Sequence, residues 1–215
     1  MISTRVKRVF LAMGLFIAVL LVAILVFAYM LSRDVAFDWE NPNVVEANHF
    51  KGKLKRYENA VANGQRGFVR FSQLEINSYI RQTLTNNTDT NGPGVHLAHI
   101  GVGLGNTNLT LYSWGEYRVL NYPLKFVVQR LFTVQQEGTN VWEMPMESLK
   151  VGEVEVPRDY WDSVSSFLQP MDAPVKESFS WHTNIPALHI TKNELSQRPE
   201  LRIYTYKPVN AEELR

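Results

Sequence analysis

The stretch VFLAMGLFIAVLLVAILVFAYML, Val9 to Leu31, runs for 23 residues without a charge, a proline or an asparagine. Wound as a helix it spans roughly 34 Å, more than the ~30 Å hydrocarbon core of a bilayer. A helix pairs its own backbone N–H and C=O groups, as lipid requires. The run therefore reads as one membrane-spanning helix, and the rest of the chain is organised around it. Arg5, Lys7 and Arg8 precede it with no acid among them, whereas Arg33 is followed by Asp34, Asp38 and Glu40. That asymmetry places the N-terminus in the cytoplasm and the remainder outside. A cleaved signal peptide is the rival reading. Its apolar core is normally ~7–15 residues long with small residues behind it, and Phe27, Tyr29 and Met30 stand where those would be needed. A core helix of a soluble domain would carry a polar stripe. Tyr29 suits the interfacial aromatic belt, and Gly14 with Ala18 forms one small-xxx-small pair.

About 180 of the 215 residues follow the apolar run, enough for one domain with its own core. Beyond the basic N-terminal stub stand 19 Lys and Arg against 21 Asp and Glu, so the basic excess of a nucleic-acid binder is missing. The absence of cysteine excludes disulfides and thiolate metal sites. An exported domain without disulfides fits a bacterial envelope better than a eukaryotic secretory route. Asn86-Asn87-Thr88 and Asn108-Leu109-Thr110 match the glycosylation acceptor pattern, which matters only in a eukaryotic host.

After a polar exit, Asn41-Pro42 opens a helix. Ala47, Phe50, Leu54, Tyr57 and Val61 share one face of it, and Asn63-Gly64 stops it. It reads as a stalk from Pro42 to about Ala62. Lys51, Lys53, Lys55 and Arg56 lie on its other face, either simply solvated or attracted to anionic headgroups. Gly67 to Phe71 is a short strand. Ser72-Gln73-Leu74-Glu75 is a capping box opening a helix that buries Ile76, Tyr79 and Ile80. Thr85 to Gly94 is a polar loop. From Val95 the period becomes two: Ala98, Ile100, Val102 and Leu104 alternate with His99, Gly101, Gly103 and Gly105. Further strands are expected around Leu109–Tyr112, Val119, Lys125–Gln135, Val141–Met144, Leu149–Val156, Phe179–His182, Ala187–Thr191 and Leu201–Tyr206. A turn is expected at Glu137–Asn140, and a short helix from Asp159 to Leu168 with Pro170 and Pro174 at its exit. About eight strands and three soluble helices predict an α+β fold: a curved antiparallel sheet with helices packed on one face. The organisation is a cytoplasmic stub 1–8, a transmembrane helix 9–31, a juxtamembrane linker and stalk helix 32–64, and an extracytoplasmic α+β domain 65–215.

Phe71-Ser72-Gln73-Leu74-Glu75-Ile76-Asn77-Ser78-Tyr79-Ile80 resembles the opening of the ectodomain in the YpmS-like group of small anchored bacterial proteins, where an anchor precedes a Ser-x-x-Glu-(apolar)-Asn helix and repeated hairpins. Leu149 to Pro157 is similar to the later Gly-x-x-x-x-Pro segment of that group. The likeness covers about residues 65 to 205; the helix at Pro42–Ala62 and the tail beyond Pro208 have no counterpart. These proteins are largely of undefined function. The resemblance implies an architecture and carries over no catalytic residue.

No residue pattern specifies catalysis, a cofactor or a metal. Gly101-x-Gly103-x-Gly105 lacks the third spacing and the following helix of a dinucleotide fingerprint. The three glycines instead leave one strand face bare, inviting a packed helix or an acyl chain. His96 and His99, three apart in a strand, are expected on opposite faces and cannot readily share a metal. His182 and His189 fall on separate strands with no third ligand, and His49 is on the stalk. No Gly-x-Ser-x-Gly elbow is present. Glu75 reads as a cap, and Asp159 and Asp162 suit the dipole of a helix start. Trp114, Trp142, Trp161 and Trp181 are core residues or line a groove for an acyl chain or a partner helix. The expectation is a non-enzymatic membrane-anchored binding or assembly module, an accessory subunit of a larger complex in a bacterial inner membrane. Its partners would be membrane lipid around the anchor and other membrane proteins, with no nucleic acid. The alternative is a lipid-handling envelope protein with an apolar groove between the sheet and the Ser72 helix.

Overall fold

A computed structural model describes residues 4–37, 40–84, 95–119, 122–134, 145–178 and 187–206. Helix α1 covers Thr4–Ser32. None of its Leu15–Ser32 residues is buried, which sets it apart from a core helix. Length and composition suit both a membrane anchor and a signal sequence.

Helix α2 spans Val44–Ala62. Asn43, not Asn41 as expected, caps it by accepting the Glu46 N–H at 3.0 Å, so Pro42 stands one residue outside the cap, not inside the first turn. Gly64, at φ 64°, closes the far end with its N–H on the Val61 carbonyl. The helix is not a stalk. Ala47, Phe50 and Tyr57 are buried, and the Phe50 ring lies 4.5 Å from both Phe71 and Tyr79. The apolar face read from the sequence is real, but the domain's own core covers it.

Strand β1, Phe68–Ser72, leads into α3, Gln73–Leu84, through the expected capping box. Ser72 Oγ accepts the Glu75 N–H at 3.1 Å, and Glu75 Oε2 accepts the Ser72 N–H at 2.9 Å. Strands β2 (Val95–Leu104), β3 (Asn108–Val119), β4 (Tyr122–Thr133), β5 (Met146–Val151) and β6 (Val154–Glu155) form one antiparallel sheet in that order. A second sheet has the order β1-β8-β7, with β7 at Ala187–Lys192 and β8 at Pro199–Tyr204. The strands are thus antiparallel as predicted, but they divide into two sheets. Helices α2 and α3, with α4 (Trp161–Ser178), share one core with the inward residues of both.

Two boundaries differ from expectation. The strand expected over Leu149–Val156 is broken at Gly152, whose φ of 58° turns the chain back. Helix α4 follows a single 3-10 turn at Arg158–Tyr160 and continues through Pro170 and Pro174 instead of ending before them. The polar loop at Thr85–Gly94, the turn at Glu137–Asn140, the strands at Val141–Met144 and Phe179–His182, Asn86, Trp142, Trp181 and His182 lie outside the described residues.

Candidate functional site: a basic groove along a strand edge

In an antiparallel ladder alternate residues turn both backbone groups toward the same neighbour. The Thr205 N–H donates to the Gly67 carbonyl at 2.9 Å, and Phe68 to Ser72 pair with Tyr204 to Glu200. Gly67, Val69 and Phe71 therefore bond toward β8, while Phe68, Arg70 and Ser72 turn their N–H and C=O outward. Ser72 spends its outward N–H on Glu75. Among the described residues, nothing bonds to the outward backbone groups of Phe68 and Arg70.

An open groove of about 380 Å³ runs along this edge. Gly67, Phe68, Val69 and Arg70 form one wall, and Lys53, Arg56 and Ala60 of α2 form the other. The spacing 53, 56, 60 puts those three on one side of the helix. Lys53 is already engaged: its Nζ lies 2.6 Å from Glu75 Oε1 and 2.7 Å from Oε2, tying α2 to the first turn of α3. It is thus not part of a solvated lysine face. Arg56 donates to the Gly52 carbonyl, and Arg70 lies 5.2 Å over the Phe68 ring. Neither has an acid beside it among the described residues, so the groove carries uncompensated positive charge.

The facing edge of the other sheet is treated differently. Asn77 Nδ2 donates to the Val102 carbonyl at 3.0 Å, and its Oδ1 accepts the Val102 N–H at 2.7 Å. One turn earlier, Gln73 Oε1 accepts the Leu104 N–H at 2.9 Å. Two side chains of α3 thus stand in for a neighbouring strand of β2. Around them Ile76, Ile80 and Leu84 pack with Val102 and Leu104 in the core, filling the place where an acyl-chain groove was expected. Ser72, Glu75 and Asn77 all do architectural work here.

The outer face of the five-stranded sheet receives the linker. A Cβ on Gly101 would sit 2.9 Å from the Phe37 ring, and one on Gly103 would be 3.9 Å from it. The ring also packs on Tyr112 at 4.7 Å and Trp114 at 5.5 Å, and Trp114 Nε1 donates to Asp34 Oδ1. The bare stripe of glycines therefore takes one aromatic ring from the linker, not a helix. Gly105 belongs to the following turn, its N–H on the Asn108 carbonyl. At the end of α1, the Met30 carbonyl accepts the Glu153 N–H at 3.2 Å, and Arg33 pairs with the Glu153 carboxylate at 2.8 Å. Gly152 is required there twice over, by its positive φ and because a Cβ would run into the Met30 and Leu31 carbonyls.

The histidines scatter. A bulge between Leu97 and His99 shifts the alternation of β2 by one residue. Val95 and Leu97 point inward before it, and Ile100, Val102 and Leu104 after it. His96 and His99 therefore lie on the same outer face, correcting the expectation of opposite faces. His49 sits with Glu46 and Glu75, their ligand atoms within 4.8 Å of one another. Lys53 already neutralises Glu75 there, so a cation would have to displace it. His189 pairs across the sheet with Arg202; burial first, and then the guanidinium charge, lowers its pKa. Tyr57 donates to the Tyr204 carbonyl at 3.4 Å, and burial raises the pKa of its phenol. Asp159 and Asp162 are exposed in their first turns. Trp161 donates to the Val156 carbonyl at 2.8 Å.

Sequence reasoning missed the open edge, the occupant of the glycine notch and the role of Asn77. A lone phenylalanine in the polar exit and a side-chainless stripe on a strand were the available signals for the notch. Compared with protein-family models, curated proteins and solved structures, the chain finds no match.

Proposed function

We propose that this chain is a single-pass protein of a bacterial inner membrane, with its N-terminus in the cytoplasm. Its outward α+β domain works as a non-enzymatic binding and assembly module within a larger membrane complex. The basic stub before the apolar helix and the acidic residues after it support this orientation. One observation carries the reading: the linker leaving α1 does not swing free but lies on the domain. Phe37 fills the Gly101–Gly103 notch, Asp34 holds Trp114, and Glu153 grips both Met30 and Arg33. A tether folded onto its cargo fixes the height and orientation of the domain above the bilayer. Assembly against membrane-embedded partners gains from such pre-organisation, since fewer degrees of freedom remain to be lost on binding. A protein that ferries lipid gains more from reach, and the side chains between α3 and β2 fill the place an acyl chain would occupy.

The test is fractionation of cells producing the full-length chain, followed by purification in mild detergent. The expected result is sedimentation with membranes, a C-terminus cut by protease added outside, and stoichiometric membrane-protein partners. Full-length protein left in the supernatant, or lipid released on extraction with no protein partner, overturns the proposal.

A further inference from the structure

The groove beside β1 deepens the assembly reading and rests on it. We infer that this edge takes up an extended, acidic peptide segment of a partner protein as an added strand. The backbone supplies the binding mode. Phe68 and Arg70 each turn an N–H and a C=O into the groove, a spacing that matches alternate residues of an incoming strand. The α2 wall supplies the selection. Among the described residues, Arg56 and Arg70 line the cavity without acids beside them, so a segment bearing Asp or Glu gains charge-assisted bonds, and one bearing Lys or Arg meets repulsion. Phe68, 43 % exposed, and Ala60 offer apolar surface between the charges. The volume of about 380 Å³ suits a few residues rather than a folded domain.

An open edge is also a hazard, and proteins blunt it with short strands and charges. Strand β1 has 5 residues and carries Arg70, which discourages indiscriminate pairing. Those devices leave the cavity open among the described residues, whereas α3 side chains cover the β2 edge at Val102 and Leu104.

The experiment uses the full-length protein in nanodiscs and two blocked peptides, Thr-Val-Glu-Val-Glu-Val-Thr and its lysine counterpart. The glutamate peptide should bind at least about tenfold more tightly and slow amide exchange at Phe68 and Arg70. Arg70→Pro removes one outward donor without touching the ladder to β8, and should weaken binding about tenfold while leaving the thermal melt nearly unchanged. Arg56→Glu, on the exposed surface of α2, should abolish the preference for glutamate even if the proline variant folds poorly. Equal binding of the two peptides, or binding without protection at Phe68 and Arg70, overturns the inference. So does an equal response of the groove amides to phosphatidylglycerol vesicles. Membrane sedimentation of the same protein reads the tether separately, so failure of the groove and failure of the anchored-module reading are distinguishable.

Discussion

Strands β1 and β2 each end a sheet, and each faces a helix across its outer edge. At β2 the helix comes with amides: Gln73 and Asn77, four residues apart on α3, meet Val102 and Leu104, two apart on the strand. At β1 the helix comes with cations that stop short of the backbone, leaving a groove. The geometry of the two edges is alike, with alternate residues pointing outward in both. What differs is the chemistry of the covering helix. An edge is closed when a side chain can both donate and accept at peptide spacing, as an amide can and a guanidinium, a donor only, cannot.

The comparison breaks most visibly at Asn77. Asn77→Ala strips both partners from the backbone of Val102, which is fully buried. An unsatisfied buried backbone group costs roughly 1–3 kcal/mol, so the pair should cost about 3 kcal/mol and lower the melting temperature by roughly 6–12 °C. Asn77→Asp keeps the acceptor but sets a buried carboxylate oxygen against the Val102 carbonyl, and should cost at least as much. A melt of either variant within 2 °C of the parent, about the shift expected for less than 1 kcal/mol, would remove the claim that this amide seals the edge.

Glu75→Ala comes next. It removes the cap from Ser72 and the partner of Lys53 together. Breaking a fully buried pair costs ~3–5 kcal/mol, but the Lys53 side chain keeps 30 % of its exposure and can be rehydrated. About 2 kcal/mol is expected by urea unfolding, most of it from the cap and the lost charge-assisted bonds. The freed lysine should also make the groove beside β1 more cationic, sharpening its contrast with the sealed edge. Gln73→Ala should cost about 1 kcal/mol, because the Leu104 N–H it leaves lies near the strand end where water can replace the amide.

The capping box, the glycine stop after α2 and the alternation of β2 beyond its bulge were legible in the sequence, because each is a rule about residues close together along the chain. The hidden parts depend on pairs far apart in sequence. Asn77 looks like an ordinary helix polar residue until Val102 is placed beside it. The glycines of β2 look like a seat for a packed helix until Phe37, more than 60 residues earlier, is seen to fill it. The stalk reading failed for the same reason: an apolar stripe shows that a helix is covered, not what covers it. His96 and His99 were misplaced because strict period-two counting has no way to register an inserted bulge residue.

The smallest effect belongs to the far strand of the three-stranded sheet and tests whether that sheet is sealed on its β7 side. His189 is half-buried beside Arg202, and both burial and that charge lower its pKa. In the unfolded chain the imidazole titrates near the ordinary ~6.5. Between the lowered folded value and that ordinary one, the unfolded state binds more protons, so stability rises with pH across the window. The contribution is fully present above about pH 6.5 and is lost as the pH falls through the folded-state value. His189→Leu should therefore flatten the acid side of the stability curve below about pH 6.5 while changing little above it. Urea midpoints measured from pH 7.5 down to pH 5 in both proteins make the comparison. Parallel curves would mean that water reaches the imidazole and that β7, like β1, presents a wet flank; curves that coincide at pH 7.5 and diverge toward acid would mean that the β7 side is sealed around it.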